Sequence, residues 1–254
     1  MARRTPDAVH VAPVQRLRVQ YAKRGRLRFS SHRDFARAFE RALRRAEIPM
    51  AYSAGFHPHP KISYVGAAPT GVASEAEYLE IALAERREPA AVAGAIDAVL
   101  PEGLDIIRVV DAEQCPPGSL SDRIQASRWQ LEIAGHPVQL ELAVAQFLAA
   151  TEVPVERLTK DGSRQIDARA AVMSVDVQPG VVSDAASSAG RAIMTMVVRQ
   201  VTPTVRPDDV LAALRSVAGF APSEPVRATR LAQGPIDEAA DVADPLRTTE
   251  LYAG

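Results

Sequence analysis

The spacing of apolar residues changes period several times along this chain, and each change marks an element. Residues 16–22 alternate and predict a strand, whereas 32–46 place apolar side chains at 3.6-residue spacing and predict a helix. Residues 61–65 and 77–84 read as strands, 89–100 as a helix and 104–110 as a strand. The second half repeats the order: strand 128–134, helix 138–150, strand-like pieces at 155–158 and 165–177, strand 193–200, helix 208–217 and strand 226–231. Both halves run β-α-β-β-α-β. The expected class is α+β, as two tandem ferredoxin-like units, each an antiparallel sheet with two helices on one face. One continuous α+β domain is the competing reading, because residue identity between the halves is too low to establish a duplication.

The organisation that follows is an arm at 1–14, a first unit at 15–110, a linker at 111–125 and a second unit at 126–233, with an acidic tail at 234–254. The linker is least structured at Pro116-Pro117-Gly118-Ser119. Arm and tail lack periodicity and are expected to be mobile.

With 254 residues and 47% apolar side chains, the chain can fill a substantial core. It holds no run of eighteen apolar residues, and Met1-Ala2-Arg3-Arg4-Thr5-Pro6 is not followed by an apolar stretch, so neither a membrane span nor secretion is expected. The single cysteine, Cys115, excludes disulfides and cysteine-ligated clusters within one chain and points to a reducing cytoplasm.

Net charge is −1, but this hides an asymmetry: residues 1–66 hold 14 of the 30 Lys and Arg and only four acids. Such a charge distribution suits a polyanionic partner. The excess concentrates in the predicted helix, where Phe35, Phe39, Ala42, Leu43 and Ala46 form an apolar face. Arg33, Arg37, Arg41 and Arg45 recur every four residues on another face, with Arg44 beside them. Ser31 and Asp34 form a capping-box-like start. Arginine suits bidentate phosphate contacts, and a solvated helix face is the ordinary alternative. Lys23, Arg24, Arg26 and Arg28 just upstream, in a turn or a second extended segment, are expected to extend the same basic surface.

The next feature is Ser53-Ala54-Gly55-Phe56-His57-Pro58-His59-Pro60-Lys61-Ile62-Ser63-Tyr64. Each proline restricts the residue before it to extended geometry, so His57, His59 and Lys61 are expected on one side, with Phe56, Ile62 and Tyr64 free to anchor or stack. Three functional readings stand side by side. A metal site would use His57 and His59 with His32 or Asp34, although Lys61 disfavours a cation. An acid-base histidine, His32 or His59, would act on RNA. A rigid binding loop would hydrogen-bond phosphates or bases while rings stack, and this is the preferred reading. The ordinary alternative is a proline-stiffened connection.

Other segments are plainer. Residues 74–80 read as an edge strand guarded by charges, or as acids answering the basic patch. Thr159-Lys160-Asp161-Gly162-Ser163-Arg164 reads as a hairpin turn. No Walker loop, no Gly-x-Gly-x-x-Gly and no Cys-x-x-x-Cys-x-x-Cys occurs, and no complete catalytic constellation is present. No cofactor and no metal are expected.

Three stretches together carry a family resemblance: Phe29-Ser30-Ser31-His32-Arg33-Asp34 with the Arg-rich helix, Pro49 to Ser63, and Gly71-Val72-Ala73-Ser74-Glu75-Ala76-Glu77-Tyr78-Leu79. The chain resembles, over most of 15–235, a radical-SAM-associated bacterial domain of unknown function. The resemblance implies a domain fused to, or encoded beside, a radical SAM protein with a cobalamin-binding-like region. It also implies genes nearby for an RNase E/G-type ribonuclease and large-subunit ribosomal proteins. Members often carry Asn at the position of His57, which moves weight to His59 and Lys61. The paired outline is also similar to CRISPR repeat-processing endonucleases by fold analogy alone, without their glycine-rich loop.

The expected function is an RNA-binding accessory protein that presents rRNA or tRNA to a radical SAM partner. Arg26, Arg28, Arg33, Arg37, Arg41, Arg44, His57, His59, Lys61 and Tyr64 are the expected nucleic-acid contacts. The alternatives are an RNA-processing or RNA-modifying subunit using His32 or His59, and a protein-interaction adaptor.

Overall fold

The computed structural model describes residues 12–159, 162–180 and 190–248. The expected arm through residue 11, the Lys160-Asp161 turn tip and residues 249–254 of the expected tail lie outside them. The fold is mixed α/β with mostly antiparallel sheet, and the chain divides into two compact units.

The first unit contains β1 (Gln15–Lys23), α1 (His32–Arg45), β2 (Ile62–Val65), most of β3 (Ala73–Leu83), α2 (Pro89–Asp97) and β4 (Leu104–Asp111). Its strands lie in the order β4-β1-β3-β2, with β1 antiparallel to β4 and β2 antiparallel to β3. Alternation along β1 and β3 sends Leu17, Val19, Tyr21, Leu79, Ile81 and Leu83 to one face, where they bury Phe35, Phe39 and Leu43 of α1 and Val92 and Ile96 of α2.

The second unit contains residues 72–76 and 122–245. Here β5 (Ala126–Ala134), β8 (Val172–Pro179), β9 (Arg191–Arg199) and β10 (Arg227–Gly234) lie in the order β10-β5-β9-β8. The first residues of β3 add to this unit, Ala73 and Ser74 pairing in parallel with Thr229 and Arg230. Leu131, Ile133, Met194 and Met196 of the sheet pack on α3 (Pro137–Ala149) and α5 (Pro207–Ala218). Helices α2, α3 and α5 each begin with proline, whose missing N–H costs nothing in the first turn.

Three departures from the sequence reading have local causes. The strand expected over 165–177 is broken at Asp167, whose Oδ1 accepts from the backbone N–H of Val153, Arg169 and Ala170. That cap starts the one-turn helix α4 (Ala168–Ala171) and leaves β6 (Pro154–Thr159) and β7 (Gly162–Asp167) as a separate hairpin. The expected linker is packed, with Cys115, Leu120 and Ile124 buried.

The tail expected from 234 is packed over its described part. Arg128 pairs with Asp241, Arg123 donates to the Pro245 carbonyl, and Leu246 is fully buried. Gly234 permits this, because a Cβ there would lie 2.0 Å from the Ala243 carbonyl oxygen.

The end of α1 carries a residue under strain. Ile48 N–H bonds Leu43 O at 3.0 Å and Glu47 N–H bonds Arg44 O at 3.2 Å, a Schellman pattern that requires a left-handed residue between. That residue is Glu47, at φ 52, where glycine is usual. Replacing Glu47 by Gly is expected to raise stability by roughly 0.5–1 kcal/mol, after the glycine's added freedom in the unfolded chain is subtracted. By contrast, Phe39→Ala should lower it by about 3–5 kcal/mol by leaving a cavity under α1. Paired denaturant melts of the two variants measure both.

Candidate nucleic-acid interface

The approach to α1 is a 3-10 turn, Gly25–Phe29, entered through Gly25 at φ +52. Ser31 then caps the helix: its hydroxyl accepts from Asp34 N–H at 3.2 Å and lies 2.6 Å from Asp34 Oδ2. The Asp34 carboxyl is held below its ordinary value by these bonds from the Ser31 hydroxyl and backbone, with the charges of Arg37 and Arg33 adding. Its charged form therefore supports the helix start above the ordinary carboxylate range, and that support is lost as falling pH protonates it.

With Phe35, Phe39, Ala42 and Leu43 buried, the helix presents Arg33, Arg37, Arg41, Arg44 and Arg45 to solvent. Arg26 is exposed on the preceding turn, and Arg28 lies over the Phe29 ring at 4.7 Å. None of Arg26, Arg33, Arg37, Arg41, Arg44 and Arg45 forms an ion pair or a guanidinium hydrogen bond with another described residue. Arginines elsewhere do: Arg16 pairs with Glu80, Arg24 with Asp105, Arg86 with Glu113 and Arg157 with Asp209.

Other expected members of the basic surface sit differently. Lys23 is buried and donates to the carbonyls of Ala68 and Pro69, and Arg24 is neutralised by Asp105. The acids of 74–80 belong to an interior strand rather than an edge: Glu77 is buried and accepts from Ala68 N–H, while Glu80 binds Arg16 and the buried Arg18 of β1. Fitted to their own sheet, Glu77 and Glu80 do not answer the arginines of α1.

The His-Pro-His-Pro segment is a hairpin rather than a plain extended loop. Tyr52 bridges Pro60, Ser53 N–H donates to His59 O at 2.8 Å, and His59 N–H donates to Ser53 Oγ at 3.1 Å. Gly55, at φ +121, turns the chain at its tip. His57 and His59 are exposed and Lys61 is half-buried. Among the described residues no three His, Cys, Asp or Glu side chains gather as a metal site would need, so neither His32 nor Asp34 completes a set with His57 and His59.

Tyr64 is placed inward. Its ring meets His32 edge-on at 4.8 Å and Phe35 at 5.9 Å, and its hydroxyl is buried with no hydrogen-bond partner. Burial, with the Glu40 charge adding, pushes this phenol above its ordinary value, so it stays neutral. Ile62 and Tyr64 pack on the first core, so strand alternation sets Lys61 on the sheet face away from α1. The structure thus exposes Arg33, Arg37, Arg41 and Arg44 along α1 with Arg26 on the turn before it, sets Lys61 on the other face of the sheet, and turns Tyr64 inward beneath His32.

Of two exposed aromatics, Phe56 was expected to anchor or stack, and Phe29 was not singled out as a contact. Phe29 is 58% exposed beside Arg28, and Phe56 at the hairpin tip is 102% exposed. Neither exposure carries a signal in the sequence, because a single aromatic in a loop has no period. Two cavities in the second unit, of about 470 and 490 Å³, are lined by none of these residues.

These features define a mixed α/β protein with an exposed arginine face on its first helix. Residues 16–207 match the family described as "Uncharacterized protein conserved in bacteria (DUF2344)", and the chain belongs to that family. No curated protein matches. Among solved structures the chain is similar to an unknown protein from Galdieria sulphuraria, at 14% identity and TM-score 0.24, covering 85% of this chain and 96% of that one. It is also similar to the encapsulated DyP-type peroxidase from Mycobacterium smegmatis, at 8% identity and TM-score 0.19, covering 90% and 94%. Neither likeness bears on fold or function.

The placement of Tyr64 has a testable consequence. Tyr64→Phe removes a buried hydroxyl that bonds nothing, so stability should hold or rise by up to about 1 kcal/mol, with nucleic-acid affinity unchanged. A loss of affinity in a binding titration would restore the hydroxyl as a contact.

Proposed function

We propose that this protein is a cytoplasmic RNA-binding accessory protein that presents rRNA or tRNA to a radical SAM partner, gripping the phosphate backbone with α1. The observation that carries the reading is the row of exposed guanidiniums, Arg33, Arg37, Arg41 and Arg44, that pair with no carboxylate among the described residues. A face kept for solubility mixes signs, because like charges four apart on a helix repel by a few tenths of a kcal/mol per pair. A face kept for phosphate leaves guanidiniums free for bidentate contacts. The choice of RNA and of a radical SAM partner rests on the resemblance carried by residues 29–80. We read each unit as a ferredoxin-like sandwich, which the strand orders β4-β1-β3-β2 and β10-β5-β9-β8 support. His59, whose backbone is held on both sides by Ser53, is read as a further contact to base or phosphate.

A filter-binding titration against structured and single-stranded RNA tests the reading. Binding should weaken steeply with salt. The Arg37→Ala plus Arg41→Ala variant should weaken it further and flatten the logarithmic salt slope by about 1.4, at about 0.7 per lost phosphate on a single strand. Binding that is micromolar or weaker at low salt and indifferent to both substitutions would sink the proposal.

A further inference from the structure

Phe56 has the exposure of a side chain with no neighbours, 102%, in a chain that buries Phe35, Phe39 and Phe147 and leaves Phe29 58% exposed. The ring is held out by construction. Pro58 and Pro60 restrict the residues before them, Tyr52 bridges Pro60, and Ser53 and His59 exchange two hydrogen bonds below the tip. A loop so fastened cannot fold its tip back onto the core, so the apolar surface of Phe56 is kept for another molecule.

The arms of the hairpin pack into the same core as the basic helix. Met50, five residues after Arg45, bridges Leu83, and Tyr64, on the returning arm, packs beneath His32 at the other end of α1. At the helix entrance Phe29 offers a second exposed ring, already stacked by the Arg28 guanidinium at 4.7 Å. From Glu47 to Glu75 the chain contains no intervening carboxylate, and the exposed His57 and His59 follow Phe56 in the hairpin. Exposed rings beside Arg28 and in a hairpin without carboxylates match the needs of a single strand, whose phosphates take the cations while its unstacked bases lie on the rings.

We propose that Phe56 stacks on an unpaired nucleobase, so that this face takes single-stranded RNA in preference to duplex. The inference rests on the RNA-binding reading above. A duplex keeps its bases stacked on one another and gives Phe56 no partner, so it is held by the arginines alone.

Fluorescence anisotropy with a single-stranded RNA and a duplex of equal length, each across a salt titration, tests the proposal. Phe56→Ala should weaken single-strand binding by about 5- to 150-fold, leave duplex binding and both salt slopes unchanged, and be rescued by Phe56→Trp. A strand containing 2-aminopurine should lose fluorescence on binding the native protein and keep it with Phe56→Ala. Salt-dependent binding indifferent to Phe56 overturns the stacking and leaves the arginine face standing. Absence of salt-dependent binding to either RNA overturns both. If Phe56→Ala spares both RNAs but abolishes capture of the radical SAM partner, the tip is a protein-docking knob and the stacking proposal falls.

Discussion

Everything at the candidate interface depends on how Phe35 is held. Its ring stacks on Tyr21 of β1 at 4.3 Å with the planes 3° apart, meets Tyr64 of β2 edge-on, and contacts Phe39 one turn further along α1. This aromatic cluster fixes the rotation of α1 about its axis, because any roll would break contacts to two strands at once. Once Phe35 and Phe39 are inward, residues 33, 37, 41 and 44 have nowhere to go but water. The cap at Ser31 and the Schellman turn at Glu47 close both ends, so the helix cannot slide to bring its arginines to a carboxylate.

The cluster also explains what was and was not legible in the sequence. Elements came through because periodicity reports which side of the backbone is buried, and strands and helices were found within a few residues of their observed bounds. What failed was the destination of polar groups. Lys23 and Glu77 read as surface charges, yet both are buried, each bonded to the loop at Ala68. Tyr64 read as a contact because tyrosine serves both core and surface, and only the packing of His32 and Phe35 against it decides. The broken strand at Asp167 turned on three backbone bonds to one carboxylate, which no period reveals. Of the candidate interface, the arginine face was visible in residues four apart. The isolation of Phe56 was not, since a lone aromatic in a loop carries no period.

The placement of carboxylates argues that the charge asymmetry is more than composition. In the second unit acids are fitted to particular cations: Asp241 takes Arg128, Asp209 takes Arg157 and also caps Arg206 N–H, and Glu132 takes Arg227. The first unit does the same away from α1, through Glu80, Asp105 and Glu113. Exposed pairs of this kind add at most about 1 kcal/mol each, so stability alone neither requires them nor forbids them on α1. Glu40 is the test within the helix. It lies three residues from Arg37 and four from Arg44, within reach of both by helix geometry, yet it pairs with neither. Five exposed arginines on one helix raise a local potential that salt screens only beyond about 8 to 10 Å. A surface under no demand but folding would relax that repulsion with one or two substitutions, and the chain elsewhere shows that carboxylates are freely available. That repulsion accords with the proposal that α1 is a phosphate grip, whose counter-charge would arrive with its ligand.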